Sequence, residues 1–352
     1  MNLIKQIGWK KMLLAGAIKL TISLLLFSCT KTVANTEAAG NVVPTPIQVG
    51  TTGANPETTQ IVYLPNPTGG NQLKAVLYIP STSVPVPAVV VMHGSGGLWS
   101  STDSTNTKMA SQFKGWIDSF RVHKIAALFV DSYTARGTKT FHNMVPPNSL
   151  PIAAEFVRPR DAHAGLTYLR TLTVKIIPNK IGLLGFSHGG TTVLGTMVDA
   201  DAVAKTTAWS QISAGTTYTN NVLAPAGKPA EGGFVAAVSY YPGAAMFSYF
   251  GKPGTPSDGK YVNYAPMLIH AAGADPLYTG TYTNWDNNKQ ISSYDGLIQK
   301  AQLNPASAPI TKQVYSGAEH GFDGETAAGT DANASVLARA RSIAFLKQFL
   351  YN

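Results

Sequence analysis

Residues 180–190 read KIGLLGFSHGG. The apolar run before Gly185 predicts a buried strand, and the residues from Thr191 predict a helix. Between them, Gly185-Phe186-Ser187-His188-Gly189 matches Gly-x-Ser-x-Gly, a motif that in a strand–turn–helix context holds a serine on a tight turn at the top of a sheet. The two glycines leave room where side chains would clash with the neighbouring strand and helix. The sequence therefore predicts Ser187 as a nucleophile.

The chain on both sides of this motif alternates between strand-like and helix-like stretches. Short apolar runs predict strands at Ile61–Leu64, Leu73–Ile79, Ala88–Met92, Ile125–Val130, Lys180–Leu184, Phe234–Tyr240, Pro266–Ala271 and Ile310–Tyr315. Helical spacing of apolar residues predicts helices at Met109–His123, Asp161–Leu172, Thr191–Val198 and Ala334–Leu350. This alternation predicts an α/β fold, with a mostly parallel central sheet and helices on both faces.

A serine hydroxyl needs a general base, and the base needs an orienting acid. In this strand–turn–helix setting the chain order is serine, acid, histidine. Asp275 follows the strand predicted at 266–271, and His320 follows the last predicted strand, so both are predicted to lie at the sheet edge of Ser187. Two rival acids do not directly end a strand, Asp286 and Asp323. The remaining histidines precede the nucleophile, adjoin it or lie in a strand: His93, His123, His142, His163, His188 and His270.

Acyl transfer also requires two N–H donors for the negative charge that develops on the carbonyl oxygen. One candidate is the backbone N–H of His188, the residue after the predicted nucleophile. The other lies in the glycine-rich loop His93–Gly97, which follows a predicted strand. Glycine lets the backbone approach a substrate closely. Ser95 and Gly96 are both candidates for this second donor, and the sequence does not choose between them.

Composition narrows the functional classes. The chain has 352 residues, 13% of them charged, and a formal net charge of +9, with Lys5, Lys10, Lys11 and Lys19 in the first 28 residues. No basic run is interleaved with aromatic residues, which argues against nucleic-acid binding. The single cysteine excludes an intrachain disulfide and a cysteine-based metal site, and no His/Asp/Glu cluster has ligand spacing.

The N-terminus has the layout of an export signal. A basic start leads into the apolar stretch Leu13–Phe27 and ends at Cys29, which resembles a bacterial lipoprotein cleavage and lipidation site. An uncleaved membrane anchor is the alternative, but Lys19 leaves an apolar run that is short of the about 20 residues needed for a span. We expect an exported, lipid-anchored protein that faces the periplasm or the cell surface, attached to the membrane through Cys29.

This layout divides the chain into three predicted parts. Residues 1–28 are a signal peptide, residues 29–60 are a flexible linker rich in Thr, Ala, Asn, Gly and Pro, and residues 61–352 are the folded domain. Two stretches interrupt the strand–helix alternation, at 134–155 and 200–233. Long loops above the carboxyl edge of a sheet often cover a site, so either stretch is a candidate lid, with ordinary surface insertion as the alternative.

The motifs together resemble those of the dienelactone hydrolase branch of the α/β-hydrolases, over roughly residues 61–352. The matching segments are His93-Gly94-x-Gly96-Gly97, Asp131-Ser132-Tyr133-x-x-Arg136-Gly137, Arg160-Asp161, Gly185–Gly190, Gly273-x-Asp275 and Glu319-His320-Gly321-Phe322. The resemblance implies hydrolysis of carboxylic esters or lactones, small or polymeric, without a cofactor. Dienelactone hydrolases use a cysteine nucleophile, whereas this chain has Ser187. The departure shifts the expectation from a dienelactone substrate toward general esterases.

The same sequence features are compatible with two other functions. A peptidase or amidase would use the same three side chains. A catalytically silent, surface-binding lipoprotein is the alternative outside enzymes, although a degenerate hydrolase would usually have lost one member of the triad. Four charged residues are interpreted as a structural cluster behind the site rather than as substrate ligands: Asp131, Arg136, Arg160 and Asp161.

Overall fold

An eight-stranded sheet lies at the centre of the protein. The computed structural model describes residues 55–141, 149–203, 211–213, 216–218, 225–243, 261–283, 290–324 and 328–352. The strands of the sheet are β1 Thr58–Leu64, β2 Leu73–Ile79, β3 Val86–Met92, β4 Ala126–Val130, β5 Ile176–Phe186, β6 Ala237–Tyr240, β7 Met267–Ala272 and β8 Ile310–Tyr315.

The strand order across the sheet is β1-β2-β4-β3-β5-β6-β7-β8. The first strand pairs antiparallel with β2, and β2 pairs antiparallel with β4. Every pair from β4 to β8 is parallel. The predicted fold class, a mostly parallel sheet with helices, is therefore confirmed. The parallel strands direct their carboxyl ends to one edge, where the loops after β3, β5, β7 and β8 meet.

Five helices of eight or more residues are described: α1 Ser111–Val122, α2 Arg158–Thr171, α3 His188–Thr196, α4 Ser293–Gln302 and α5 Gly329–Leu350. Shorter helical segments span Thr134–Arg136, Leu150–Ile152, Ala200–Val203 and Pro276–Thr279. Two small antiparallel pairs join Gln211–Ser213 to Thr216–Tyr218 and Thr281–Thr283 to Gln290–Ser292.

The helices pack on both faces of the sheet and bury a core on each. Helices α2, α3 and α4 cover one face, where residues such as Leu166 and Val193 meet the β3 and β5 side chains. Helices α1 and α5 cover the other face, where Trp116 and Phe120 pack near Leu346. The central strands are buried from both sides, which explains why β3 and β4 are uninterrupted apolar runs rather than alternating ones.

All eight predicted strands and four predicted helices are present, with shifts at their ends. Strand β1 begins at Thr58 rather than Ile61, and α2 begins at Arg158 rather than Asp161. The signal peptide and Cys29 lie outside the described residues, as do parts of both candidate lids, so these remain predictions. Within the described ranges, no helix combines the length and apolar character needed to cross a membrane.

Candidate active site

Ser187 occupies a strained turn between the end of β5 and the start of α3. Its backbone angles are φ 50° and ψ −114°, in the positive-φ region that side chains other than glycine rarely adopt. Hydrogen bonds hold this conformation: the Ser187 N–H donates to the Tyr240 carbonyl at 2.9 Å, and its carbonyl accepts from the Thr191 N–H at 2.9 Å. The turn lifts the hydroxyl out of the sheet, as the motif predicts.

The two motif glycines are required by close backbone packing. A Cβ atom added at Gly185 would lie 2.2 Å from the Gly189 carbonyl oxygen. One added at Gly189 would lie 2.1 Å from the carbonyl oxygen of Met92, the last residue of β3. Both contacts are with backbone atoms, which cannot move aside as a flexible side chain can. The predicted reason for these glycines is therefore confirmed.

The structure brings Ser187, His320 and Asp275 into one hydrogen-bonded chain. The Ser187 hydroxyl lies 2.8 Å from His320 Nε2, and His320 Nδ1 lies 2.6 Å from Asp275 Oδ2. The imidazole side chain is 33% exposed, whereas that of the carboxylate is 1% exposed. A histidine that donates from Nδ1 to a carboxylate presents the lone pair of Nε2 to the hydroxyl, which is the arrangement that a general base needs.

Asp275 also begins the short helix Pro276–Thr279, three residues after the end of β7. Its Oδ1 accepts a hydrogen bond from the Leu277 N–H at 2.9 Å, so the carboxylate caps that helix. One oxygen therefore anchors the side chain to the backbone while the other faces His320. This division of contacts satisfies a buried charge and fixes its direction.

The rival acid Asp323 lies in a separate buried cluster. It accepts from the Gln112 amide at 3.0 and 3.1 Å and from the Tyr241 hydroxyl. Burial raises the pKa of this carboxyl above its ordinary value. The Tyr241 ring of this cluster lies beside the base, with its centroid 5.1 Å from that of His320. The other rival, Asp286, lies outside the described residues.

The glycine loop after β3 lies directly beside the nucleophile. A Cβ atom at Gly94 would lie 3.5 Å from the Ser187 Cβ. The loop closes through the Gly97 N–H, which donates to the Gly94 carbonyl at 3.1 Å. Gly97 has φ +86°, and an added Cβ would lie 2.2 Å from the Lys139 carbonyl oxygen, so only glycine fits there.

The candidate oxyanion donors lie on this loop and on the first residue of α3. Among the described residues, no group accepts a hydrogen bond from the N–H of Ser95 or Gly96. The Ser95 carbonyl is occupied instead, since it accepts from the Phe141 N–H at 2.8 Å. The N–H of His188 belongs to the first turn of a helix, where the amides have no intrahelical acceptor. Within the described part of the chain, the N–H groups of Ser95 and Gly96 are therefore unpaired, on a loop that lies beside Ser187.

The turn that carries Ser187, between β5 and α3, is called the elbow below. A second group of polar side chains adjoins it, and we call this group the rear cluster: Arg158, His188, His93 and Tyr133. The His188 Nδ1 lies 2.9 Å from Arg158 NH1 and 2.6 Å from the Tyr133 hydroxyl. Arg158 NH2 donates to the His93 carbonyl at 2.7 Å. Arg158 and His93 are fully buried.

Arg158 belongs to none of the motifs that predicted the site, although Arg160, two residues later, does. The reason is the boundary of α2, which was predicted to begin at Asp161 and left Arg158 in an unassigned stretch. An arginine within a run that is otherwise apolar, such as Phe156-Val157-Arg158-Pro159, is the signal that could have found it, because buried arginines need specific partners.

The charged residues interpreted as structural are engaged with protein partners. Arg136 makes a two-pronged pair with Asp161, with both N–O distances at 2.8 Å. Asp131 accepts from the Trp99 indole at 2.6 Å and from the Tyr133 N–H at 2.9 Å. Arg160 donates to the Phe156 carbonyl. The Arg136–Asp161 pair joins the loop after β4 to α2.

The solved structures that resemble this chain share its fold at low sequence identity. A candidate dienelactone hydrolase from Klebsiella pneumoniae subsp. pneumoniae has a TM-score of 0.52 at 14% identity, over 84% of this chain and 100% of its own. P91, a dienelactone hydrolase-like promiscuous phosphotriesterase from metagenomic libraries, has a TM-score of 0.52 at 16% identity, over 84% and 99%. A puromycin-hydrolysing peptidase from Mycobacterium tuberculosis has a TM-score of 0.51 at 17% identity, over 84% and 39%.

Sequence comparison adds no relative. No protein-family model matches the chain, and no curated protein matches it. The structural likeness, together with the strand order and the position of the elbow after β5, shows that the chain has the α/β-hydrolase fold and resembles dienelactone hydrolase-like structures.

Proposed function

We propose that this protein is a serine hydrolase that cleaves carboxylic esters or lactones through an acyl-enzyme intermediate. The observation that carries the proposal is the continuous hydrogen-bonded chain from Ser187 through His320 to Asp275, with its serine on a strained elbow. The strain is informative because a non-glycine residue is held at positive φ only where the surrounding structure enforces it.

The first half of the reaction forms the acyl-enzyme. His320 Nε2 takes the proton from the Ser187 hydroxyl as Oγ attacks the carbonyl carbon, and the carbonyl π electrons move onto its oxygen. When this tetrahedral species collapses, the bond to the alcohol oxygen breaks and His320 returns the proton to the departing alkoxide. The buried Asp275 carboxylate stabilises the imidazolium that exists between the two proton transfers.

The second half repeats the sequence with water. His320 takes a proton from a water molecule, whose oxygen attacks the acyl carbon. The second tetrahedral species releases the carboxylic acid and restores the Ser187 hydroxyl with the proton held by His320. In both halves the negative oxygen would be stabilised by the N–H of His188 and by that of Ser95 or Gly96, on the loop beside the nucleophile.

Amide hydrolysis by the same side chains is the competing proposal, and one of the resembling structures is a peptidase by its printed name. The two reactions differ in the leaving group, because an amine must be protonated as it departs, whereas an alkoxide leaves more readily. Matched esters and amides of the same acyl group separate them: turnover of the ester without measurable turnover of the amide supports the ester proposal, and a kcat/KM on the amide that equals or exceeds that on the ester contradicts it.

The serine itself is tested by Ser187→Ala on a chromogenic short-chain ester. We expect kcat to fall by about 10⁶-fold, because the nucleophile is lost. Ser119→Ala is the matched control, since Ser119 lies on α1 and its hydroxyl donates to the Gly115 carbonyl. A fluorophosphonate probe should label the wild type and the control but not Ser187→Ala. Ester turnover at the wild-type rate in Ser187→Ala, with the fold intact, would contradict the proposal.

A further inference from the structure

Arg158 is a fully buried cation that touches both segments carrying the candidate oxyanion donors. Its NH1 contacts the imidazole of His188, whose own N–H is one candidate donor, at 2.9 Å. Its NH2 donates to the carbonyl of His93, the residue that opens the loop with the other candidates, at 2.7 Å. The two segments come from different strands, since β3 precedes one and β5 precedes the other.

The chemistry of the guanidinium determines the state of His188. A guanidinium has only donors, so the Nδ1 atom that it contacts must be an acceptor. The proton of the neutral ring then lies on Nε2. Burial and, next, the positive charge of Arg158 hold the pKa of His188 well below its ordinary value, so the ring stays neutral. The Tyr133 hydroxyl, 2.6 Å from the same Nδ1, donates as well.

His93 is kept neutral by the same surroundings. Burial first and Arg158 second lower its pKa to about 3, against the opposing effect of Asp131. Its Nε2 accepts from the Ser132 N–H at 3.2 Å, and its Nδ1 lies 2.7 Å from the Gly94 carbonyl, which assigns the ring proton to Nδ1. The loop that begins at His93 is therefore anchored by side chain and carbonyl together.

Arg158 has no carboxylate in contact among the described residues. The nearest candidates have other partners: Asp161 pairs with Arg136, and Asp131 binds the Trp99 indole. The cation is held instead by a carbonyl, an imidazole and the face of the Tyr133 ring, 5.1 Å from the ring centroid. Among the residues that the structure describes, no group accepts a hydrogen bond from its Nε–H. A buried positive charge without a paired anion favours negative charge that develops nearby.

From this arrangement we propose that Arg158 is the positioning residue of the oxyanion hole. The inference rests on the proposed hydrolase function. The rigid fork of the guanidinium sets the spacing between the His93 loop and His188, and thus between the two N–H donors. Its unpaired charge adds to the stabilisation of the oxyanion. Both effects act on the transition state more than on the bound substrate.

The test compares Arg158→Met with Arg170→Met. Arg170 lies on the same helix and donates to carbonyls of Pro178, Gly232 and Gly233, at the end of α2 away from Ser187. We expect Arg158→Met to lower kcat by about 10- to 100-fold, with KM changed by less than about threefold, because a misplaced oxyanion donor affects the transition state. Arg170→Met should lose stability without losing kcat.

Activity is normalised to active sites titrated with a fluorophosphonate, so that unfolded protein does not count. Arg158→Lys keeps the positive charge but loses the planar, two-pronged guanidinium. Its kcat should lie between those of the wild type and Arg158→Met. His188→Ala retains the backbone donor but removes its side-chain anchor. If Arg158 acts partly through His188, the two effects are not independent. The fold-loss of kcat in the double variant Arg158→Met/His188→Ala should then be smaller than the product of the fold-losses in the two single variants.

The outcomes separate this inference from the proposed function. A wild type that neither hydrolyses esters nor reacts with the fluorophosphonate overturns both. An active wild type with Arg158→Met at the wild-type kcat per titrated site overturns only the role of Arg158. A rise in KM with kcat unchanged also overturns it, because that pattern indicates substrate binding. If Arg158→Met does not fold, Arg158→Lys and His188→Ala decide the question by the same readout.

Discussion

Two histidines flank the nucleophile, and their surroundings are electrostatically opposite. His320, in front of Ser187, faces the buried carboxylate of Asp275 at 2.6 Å. His188, behind it, faces the buried guanidinium of Arg158 at 2.9 Å. An adjacent anion stabilises an imidazolium, whereas an adjacent cation opposes it. The same side chain is therefore suited to carry a proton on one side of Ser187 and is kept neutral on the other.

Solvent access follows the same division. The His320 side chain is 33% exposed, so substrate and water can reach its Nε2. In the rear cluster, Arg158, His93 and Tyr133 have no exposed surface, and His188 is partly buried. A group that transfers protons must contact its reactants, while a group that only holds the backbone gains precision from burial. Substitutions at His320 and Asp275 should therefore affect proton transfer. Substitutions in the rear cluster should affect the alignment of the oxyanion donors.

Among substitutions next to the two histidines, the largest effect is expected from Asp275→Asn, which removes the anion that faces His320. The amide would no longer stabilise the imidazolium or select the Nδ1–H tautomer, so kcat should fall by about 10⁴-fold with the fold retained. Asp323→Asn is the control, because that carboxyl bonds Gln112 and Tyr241 rather than His320. Steady-state kinetics on the same ester distinguish the two acids. A larger loss in Asp323→Asn would reassign the acid of the triad.

A smaller effect, on the free energy of unfolding, is expected at Gly189, in the first turn of α3. Gly189 packs against β3 so closely that Gly189→Ala would place its Cβ 2.1 Å from the Met92 oxygen and 2.6 Å from that of His93. We expect the free energy of unfolding in guanidinium chloride to fall by about 3 kcal/mol. Gly96→Ala is the matched control, since nothing lies within 4 Å of its added Cβ. Equal stability of the two variants would refute the packing argument.

The smallest effect is expected from Tyr133→Phe, which removes one of the two donors to His188 Nδ1 and leaves Arg158. Burial raises the pKa of Tyr133 to about 12, so the phenol remains a neutral donor in the native protein. The lost hydrogen bond should cost about 1 kcal/mol of unfolding free energy, and kcat per titrated site should change by less than about threefold. A kcat loss as large as that of Arg158→Met would show that the phenol aligns His188 as much as the cation does.

Local sequence was enough to predict the sheet, the elbow and the candidate triad. Buried parallel strands are continuous apolar runs, which is why Leu73–Ile79 and Ile310–Tyr315 were predicted to the residue. The glycines of the elbow are local too, because their spacing reflects one turn between one strand and one helix. Asp275 and His320 were found because side chains that follow parallel strands share one sheet edge, whatever the distance along the chain.

Tertiary structure alone decided how the side chains are partnered. Ser187 and His320 are 133 residues apart, and Arg158 and the His93 carbonyl are 65 apart. Such contacts leave no periodic trace in the sequence, because they depend on how β3, β5 and α2 pack rather than on any local pattern. Thus the sequence by itself determined which residues line the edge of the sheet. Only the packed structure decided that one histidine beside Ser187 faces a carboxylate and the other a buried guanidinium.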